Sequence, residues 1–243
     1  SQVNGPLSGT FLPVGTYFVT YQAIDTAGNV AFCNFGVRVE DTQLPAINCP
    51  QNITVSNDDG VCQATILGLA PELAFDNCNF EVSWVTDIPL INNGTSTSSD
   101  ISGAIFDIGT TTVTYTITEI TDEDQNGIKT TSCSFSVLVE DKENPQVLEC
   151  PNDIVVVNDD GMCEAIVDYN LPIFYDNCDG FSSGVLTEGL PPLSSFPDGT
   201  TTVTYIATDA AGNTNSCSFT VTVNDGENPE IFCEEVVATN TFT

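Results

Sequence analysis

The sequence predicts an all-β protein made of tandem β-sandwich domains, and three observations carry that prediction. Segments rich in Val, Thr, Ile, Phe and Tyr alternate with period two. Short turns bearing glycine and asparagine punctuate them. One string of motifs then returns along the chain at the spacing of a small domain. No stretch shows helical periodicity.

The strand assignment rests on segments such as Val113–Ile117 (VTYTI) and Phe219–Val223 (FTVTV), where every residue is β-branched or aromatic. Ala27-Gly28-Asn29 and Ala211-Gly212-Asn213 read as tight hairpin turns, because Gly and Asn tolerate positive φ. The repeated string begins with Gly15–Tyr21 (GTYFVTY), Gly109–Tyr115 (GTTTVTY) and Gly199–Tyr205 (GTTTVTY). A cysteine strand follows each: Cys33–Val39 (CNFGVRV), Cys133–Val139 (CSFSVLV) and Cys217–Val223 (CSFTVTV). Each then closes in a polar joint ending in proline: Glu40–Pro45, Glu140–Pro145 and Asn224–Pro229. Beyond the joints stand Cys49, Cys150 and Cys233, followed in two cases by Asn-Asp-Asp-Gly-x-Cys (Cys62, Cys163) and Asp-Asn-Cys (Cys78, Cys178). The repeat is 101 residues long from Cys49 to Cys150 and 83 from Cys150 to Cys233, the difference lying mainly in a polar loop over 92–103. Loop-closure cost grows slowly with length, so such an insertion is tolerated. The chain therefore divides into the second half of a repeat (1–45), complete repeats (46–145 and 146–229) and the first strand of another, or a donor strand (230–243).

Composition narrows the function. Thirty-four acidic residues face three basic ones, Arg38, Lys129 and Lys142, for a net charge of −31. That charge disfavours nucleic acid and anionic membranes as partners and calls for cations. A hydrophobic content of 41% fills cores, so this is not a disordered acidic tail. No apolar run is long enough to insert in a membrane. The ten cysteines have neither the spacing nor the histidine partners of a zinc site, since the chain has no histidine, which points to disulfides and an oxidising, extracellular location. Without histidine there is no Ser-His-Asp or Cys-His machinery, and carboxylate pairs among so many acids carry no signal, so the chain reads as a non-enzyme.

The combined set CP-x-x-I-x-V, D-N-C, G-T-x-x-V-T-Y, D-A-A-G-N and C-S-F-x-V-x-V resembles the hyalin repeat (HYR) family over essentially the whole chain. The resemblance implies extracellular immunoglobulin-like sandwiches of about seven strands with Greek-key connections, arranged as a rod and associated with adhesion. The extra Gly-x-Cys and Asp-Asn-Cys cysteines resemble versions in large Bacteroidetes surface proteins. Four cysteines per repeat allow three connectivities. Cys49 opens the first strand and Cys133 the last, which are neighbours in such a fold, so Cys49–Cys133 and Cys150–Cys217 are favoured. That leaves Cys62–Cys78 and Cys163–Cys178, the second kind requiring a tight fold-back. Cys33 and Cys233 lack partners of this kind within the chain and are candidates for an intermolecular bond, with copies meeting head-to-tail or neighbouring repeats completing the sandwich.

The acidic joints suggest Ca2+, which takes six to eight oxygen ligands. Glu40 and Asp41 with Asp76, Asn77, Asp122, Asp124 and Asn126 form one expected cage; Glu140 and Asp141 with Asp176, Asn177 and Asp209 form the next. Asp122–Gly127 also matches the first half of an EF-type loop, although Cys133 stands where the closing Glu would be. An ordinary Asn-Gly turn explains that match nearly as well, and solvated acidic loops are the competing reading of the joints. Asn52 and Asn93 are formal N-glycosylation sequons, and Thr26 resembles a bacterial O-glycosylation site. Trp84 on a strand is expected in a core rather than on a platform for surface glycans. The expected function is an adhesin stalk or the protomer of an extracellular filament, with a calcium-dependent carbohydrate-binding module as the alternative.

Overall fold

The computed structural model describes residues 1–90, 99–120, 127–233 and 235. Every regular element among them is a strand, as the alternating pattern predicts. The contacts divide the chain into two units, Ser1–Asp141 and Lys142–Thr243.

The first unit opens with an antiparallel sheet of β1 (Gln2–Asn4), β2 (Gly15–Ile24) and β3 (Val30–Val39). The rest of the unit is a two-layer sandwich made by β4 (Ala46–Asn48), β5 (Ile53–Ser56), β6 (Gln63–Ile66), β7 (Leu73–Phe75), β8 (Phe80–Thr86), β9 (Ala104–Asp107), β10 (Gly109–Glu119) and β11 (Thr130–Glu140). One layer runs in the order β5-β11-β10-β8, and the other consists of the pairs β4-β7 and β6-β9. The inward residues of β10 and β11 are Val113, Tyr115, Ile117, Phe135, Val137 and Val139, all buried against Ala64, Leu69, Ile101 and Phe106. Their spacing of two along each strand puts them on one face. Trp84 packs against this same core, as expected.

The second unit repeats the design with β12 (Gln146–Glu149), β13 (Ile154–Val157), β14 (Glu164–Val167), β15 (Ile173–Asp176), β16 (Gly180–Ser182), β17 (Val185–Glu188), β18 (Ser194–Pro197), β19 (Gly199–Thr208) and β20 (Thr214–Asn224). Its main layer is β13-β20-β19-β17, opposed by β12-β15-β16 and β14-β18. Phe174, Phe196, Val203 and Val221 are fully buried between the layers.

The sheet β1-β2-β3 has no opposing layer among the described residues. Tyr21 and Phe35 occupy the positions of Tyr115 and Phe135, yet they are 41% and 47% exposed against 0% and 3%. The strands form from their own alternation, and only the second layer buries the face.

In each sandwich the first main-layer strand pairs in parallel with the last, β5 with β11 and β13 with β20. This brings the two predicted cysteine pairs together: Cys49–Cys133 and Cys150–Cys217 are disulfide-bonded, with Cα atoms 5.7 Å apart in both. The other two expected pairs do not form. Cys78 and Cys163 carry free thiols, so neither Cys62–Cys78 nor Cys163–Cys178 exists, while Cys62 and Cys178 are each oxidised. Cys33 and Cys233 are exposed free thiols. Among the described residues no helix is long and apolar enough to cross a membrane.

Candidate cation sites

Two carboxylate clusters stand out among the described residues, each at the leading end of a sandwich. In the first, ligand atoms of Asp41, Asp76 and Cys78 lie within 4.8 Å of one another. Local chemistry builds it. Asp41 follows β3 in the joint and is buried; its Oδ1 accepts the backbone N–H of Gln43 at 3.0 Å and the Asn77 Nδ2 at 3.2 Å. Asp76 Oδ2 accepts the N–H of Cys78 at 3.2 Å, an Asx turn that fixes the loop after β7. Antiparallel pairing of Ala46 with Phe75 holds that loop beside the joint. The cluster borders a cleft of about 560 Å³ whose walls include Val39, Glu40, Asn77, Glu119 and Lys129.

The electrostatics are uneven. The Gln43 N–H, then the Asn77 and Cys78 side chains and the charge of Lys129, hold the Asp41 carboxyl below its ordinary 3.8, against the opposing pull of burial. Burial, the hydrogen bond to Asp41 and the charges of Asp41, Asp76 and Glu119 push the Cys78 thiol up to about 11. The thiol thus stays protonated at neutral pH and presents no soft thiolate to a metal. In the isolated chain, Cys78 should react with iodoacetamide at pH 8 roughly tenfold more slowly than in the urea-unfolded chain. About a hundredfold fewer thiolates are partly offset by the greater nucleophilicity of each. Equal rates, read by mass spectrometry of the Cys78 peptide, would contradict this environment.

The second cluster brings together Asp141, Asp176 and Cys178, whose sulfur is disulfide-bonded, unlike that of Cys78. Asp176 is only 4% exposed; its Oδ1 accepts the N–H groups of Cys178 and Asp179 at 2.8 and 3.1 Å, and its Oδ2 has no hydrogen-bond partner among the described residues. A buried carboxylate oxygen without a donor is costly.

The expected ligands are thus partly brought together. Asp41, Asp76, Asp141 and Asp176 converge. Asn77 and Asn177 instead donate, to Asp41 and to Glu143 respectively. Glu40 pairs with Arg38 at 3.1 Å. Glu140 ends β11, its carbonyl accepting the Asn57 N–H. Both carboxylate oxygens of Asp209 are engaged by Asn213 within their own hairpin, so this residue closes a turn outside the cluster. Asp122, Asp124 and Asn126 lie outside the described residues, as does Asn93. Asn52 is exposed and its Oδ1 accepts the Ser136 N–H, and Thr26 sits in the exposed Asp25–Asn29 turn. The sequence reading assigned Cys78 only to a disulfide and overlooked it as a cluster member. The signal was the Asp-x-Cys spacing, in which the carboxylate caps the cysteine N–H.

The HYR domain family matches residues 1–39, 40–139 and 140–223. The chain belongs to the HYR family. The family boundaries place Asp41 and Asp141 within the repeats whose Asp76 and Asp176 they meet. Hyalin of Strongylocentrotus purpuratus is 35% identical over 93% of the chain, which covers 18% of that protein, and hyalin of Lytechinus variegatus is 31% identical over 96%, covering 41%. A rat protein, "Sushi, von Willebrand factor type A, EGF and pentraxin domain-containing protein 1", is 33% identical over 44% of the chain, which covers 3% of it. The HYR chain spans less than half the length of these relatives. All are animal proteins, and none supports the expected likeness to bacterial surface proteins. Protocadherin Gamma B2 cadherin domains 3–6 are 12% identical with a TM-score of 0.38, over 87% of this chain and 59% of that one, too low to argue from.

Proposed function

We propose that this HYR chain is part of an extracellular structural array whose repeats are stapled by disulfides and stiffened at their joints by Ca2+. It works mechanically, as an adhesive stalk or as the protomer of a filament, and catalyses nothing. The observation that carries the cation reading is the buried Asp176 carboxylate beside Asp141, with one oxygen lacking a donor among the described residues. Two carboxylates suit a hard cation, with main-chain oxygens and water filling the remaining positions. At the first cluster the protonated Cys78 thiol disfavours a soft one.

Calorimetric unfolding with Ca2+ and with a chelator tests this. Saturation a hundredfold above Kd should stabilise the folded chain by about 2.7 kcal/mol. Asp176→Asn should remove the response of the second sandwich and leave that of the first. Coincident melting curves with Ca2+ and chelator would refute the cation role.

The joint also carries an acid response. The Asp41 pKa is lowered on folding, so its contribution is present above about 4 and lost as pH falls through the folded value. Acid unfolding of Asp41→Asn should accordingly be shallower below pH 4 than that of the unaltered chain, measured by circular dichroism.

A further inference from the structure

We infer, resting on the cation reading above, that the ammonium group of Lys129 is a tethered cation standing in for part of the Ca2+ charge at the leading end of the first sandwich. It sets that end to a weaker Ca2+ affinity than the leading end of the second sandwich, where the same position is Asn213.

The hairpin after each Gly-Thr-x-x-Val-Thr-Tyr strand defines the position. An acidic residue stands four places after the tyrosine, and its partner four places before the cysteine: Asp25 and Asn29, Glu119 and Lys129, Asp209 and Asn213. All three pairs are held alike. The N–H of the acidic residue donates to its partner's carbonyl at 3.0, 3.1 and 3.1 Å. Its carboxylate accepts the partner's N–H at 2.8, 3.0 and 2.7 Å. The side chains then differ. Asn29 Nδ2 and Asn213 Nδ2 donate to their aspartates at 2.7 and 2.8 Å, whereas Lys129 Nζ donates to the two Glu119 oxygens at 3.4 and 3.5 Å. A neutral amide thus closes the hairpin twice, so the turn itself does not need the positive charge that Lys129 brings.

That charge faces the first cluster. The Lys129 and Glu119 side chains are 13% and 3% exposed, and they wall the same cleft as Asp41 and Asn77. The charge of Lys129 acts on Asp41, and that of Glu119 on Cys78. The Ile120 N–H donates to the Asn79 carbonyl, which ties the hairpin to the Asp-Asn-Cys loop. In the second sandwich the Ala210 N–H makes the same tie, donating to Asp179 Oδ2. Between the two ends, Lys129 gives way to the neutral Asn213, and the neutral Asn79 to the acidic Asp179. Both changes make the second end more negative, and it is there that the buried Asp176 Oδ2 lacks a donor among the described residues. A buried carboxylate needs a paired charge. Where Lys129 already supplies one, an incoming divalent ion meets a like charge. A unit charge about 6 Å from a divalent ion changes affinity roughly tenfold even in a water-like dielectric.

Ca2+ titration of the full chain by isothermal calorimetry tests this. The unaltered chain should bind in two steps of different affinity. In a chain carrying Asp176→Asn, which keeps only the first site, Lys129→Asn should tighten Ca2+ binding roughly tenfold or more. Lys129→Met should do the same, and Lys129→Arg, which keeps the charge, should leave the affinity unchanged. Asparagine is the residue that the other two hairpins carry, so the fold accommodates it. Asn213→Lys in the unaltered chain should weaken the tighter step by a similar factor. A lysine that only braces its hairpin would change melting in chelator without this dependence of affinity on charge. Equal affinities across the Lys129 variants, beside an intact second-sandwich step, therefore overturn the inference and leave the cation reading standing. Absence of both steps from the unaltered chain overturns the two together.

Discussion

Replacing Cys49 and Cys133 together with alanine should lower the melting temperature of the first sandwich by roughly 15–30 °C. The bond closes a span of 84 residues. Removing it restores chain entropy to the unfolded state worth about 4 kcal/mol, and a domain of this size moves by about 4–8 °C per kcal/mol. The Cys150–Cys217 bond, with a separation of 67, should matter almost as much to the second sandwich, since the cost varies only with the logarithm of loop length. Calorimetry should therefore show one transition moving while the other stays. A shift of both, or of neither, would mean that the staple does not act within its own sandwich.

Tyr115 is the second large case. It is fully buried in β10, its ring stacks on Phe135, and its hydroxyl donates to the Leu69 carbonyl at 2.9 Å and accepts the Ile101 N–H at 3.1 Å. These bonds tie two loops of the opposing layer to the core. Tyr115→Ala should cost about 3–5 kcal/mol, the range for truncating a buried aromatic. Tyr115→Phe keeps the ring but leaves a buried donor and acceptor unsatisfied, costing about 1–3 kcal/mol. The two variants separate packing from hydrogen bonding by denaturant unfolding. A neutral Tyr115→Phe would show that water satisfies the loops and that the hydroxyl is not needed. Tyr205, at the same position in the second sandwich, meets the Tyr169 hydroxyl at 3.1 Å instead, so its Phe variant has a different group to leave unsatisfied.

Much of this was legible in the sequence because the signals are short-range. Period-two alternation identifies β10, β11, β19 and β20, and Gly28 and Gly212, with φ near +90°, mark the turns their sequences predict. The motif string shows a repeat, and the order of its parts locates the Cys49–Cys133 and Cys150–Cys217 bonds. The acidic joints likewise identify Asp41 and Asp141, and the Asp-Asn-Cys segments identify Asp76 and Asp176. What the tertiary structure decided is which end of the sandwich each loop occupies. Parallel pairing of β5 with β11 carries the Gly-x-Cys turn to the trailing end, and antiparallel pairing of β4 with β7 keeps Asp-Asn-Cys at the leading end. Cys62 and Cys78, only sixteen residues apart in sequence, are thereby carried to opposite ends of one sandwich. Burial was decided in the same way. An aspartate in a polar joint reads as solvated until a neighbouring loop closes over it, and that closure buries Asp41 and Asp141 and makes Cys78 a thiol held in its protonated form. Backbone preference propagates over a few residues, whereas dielectric environment and end-to-end placement are set by strand pairing across the whole domain.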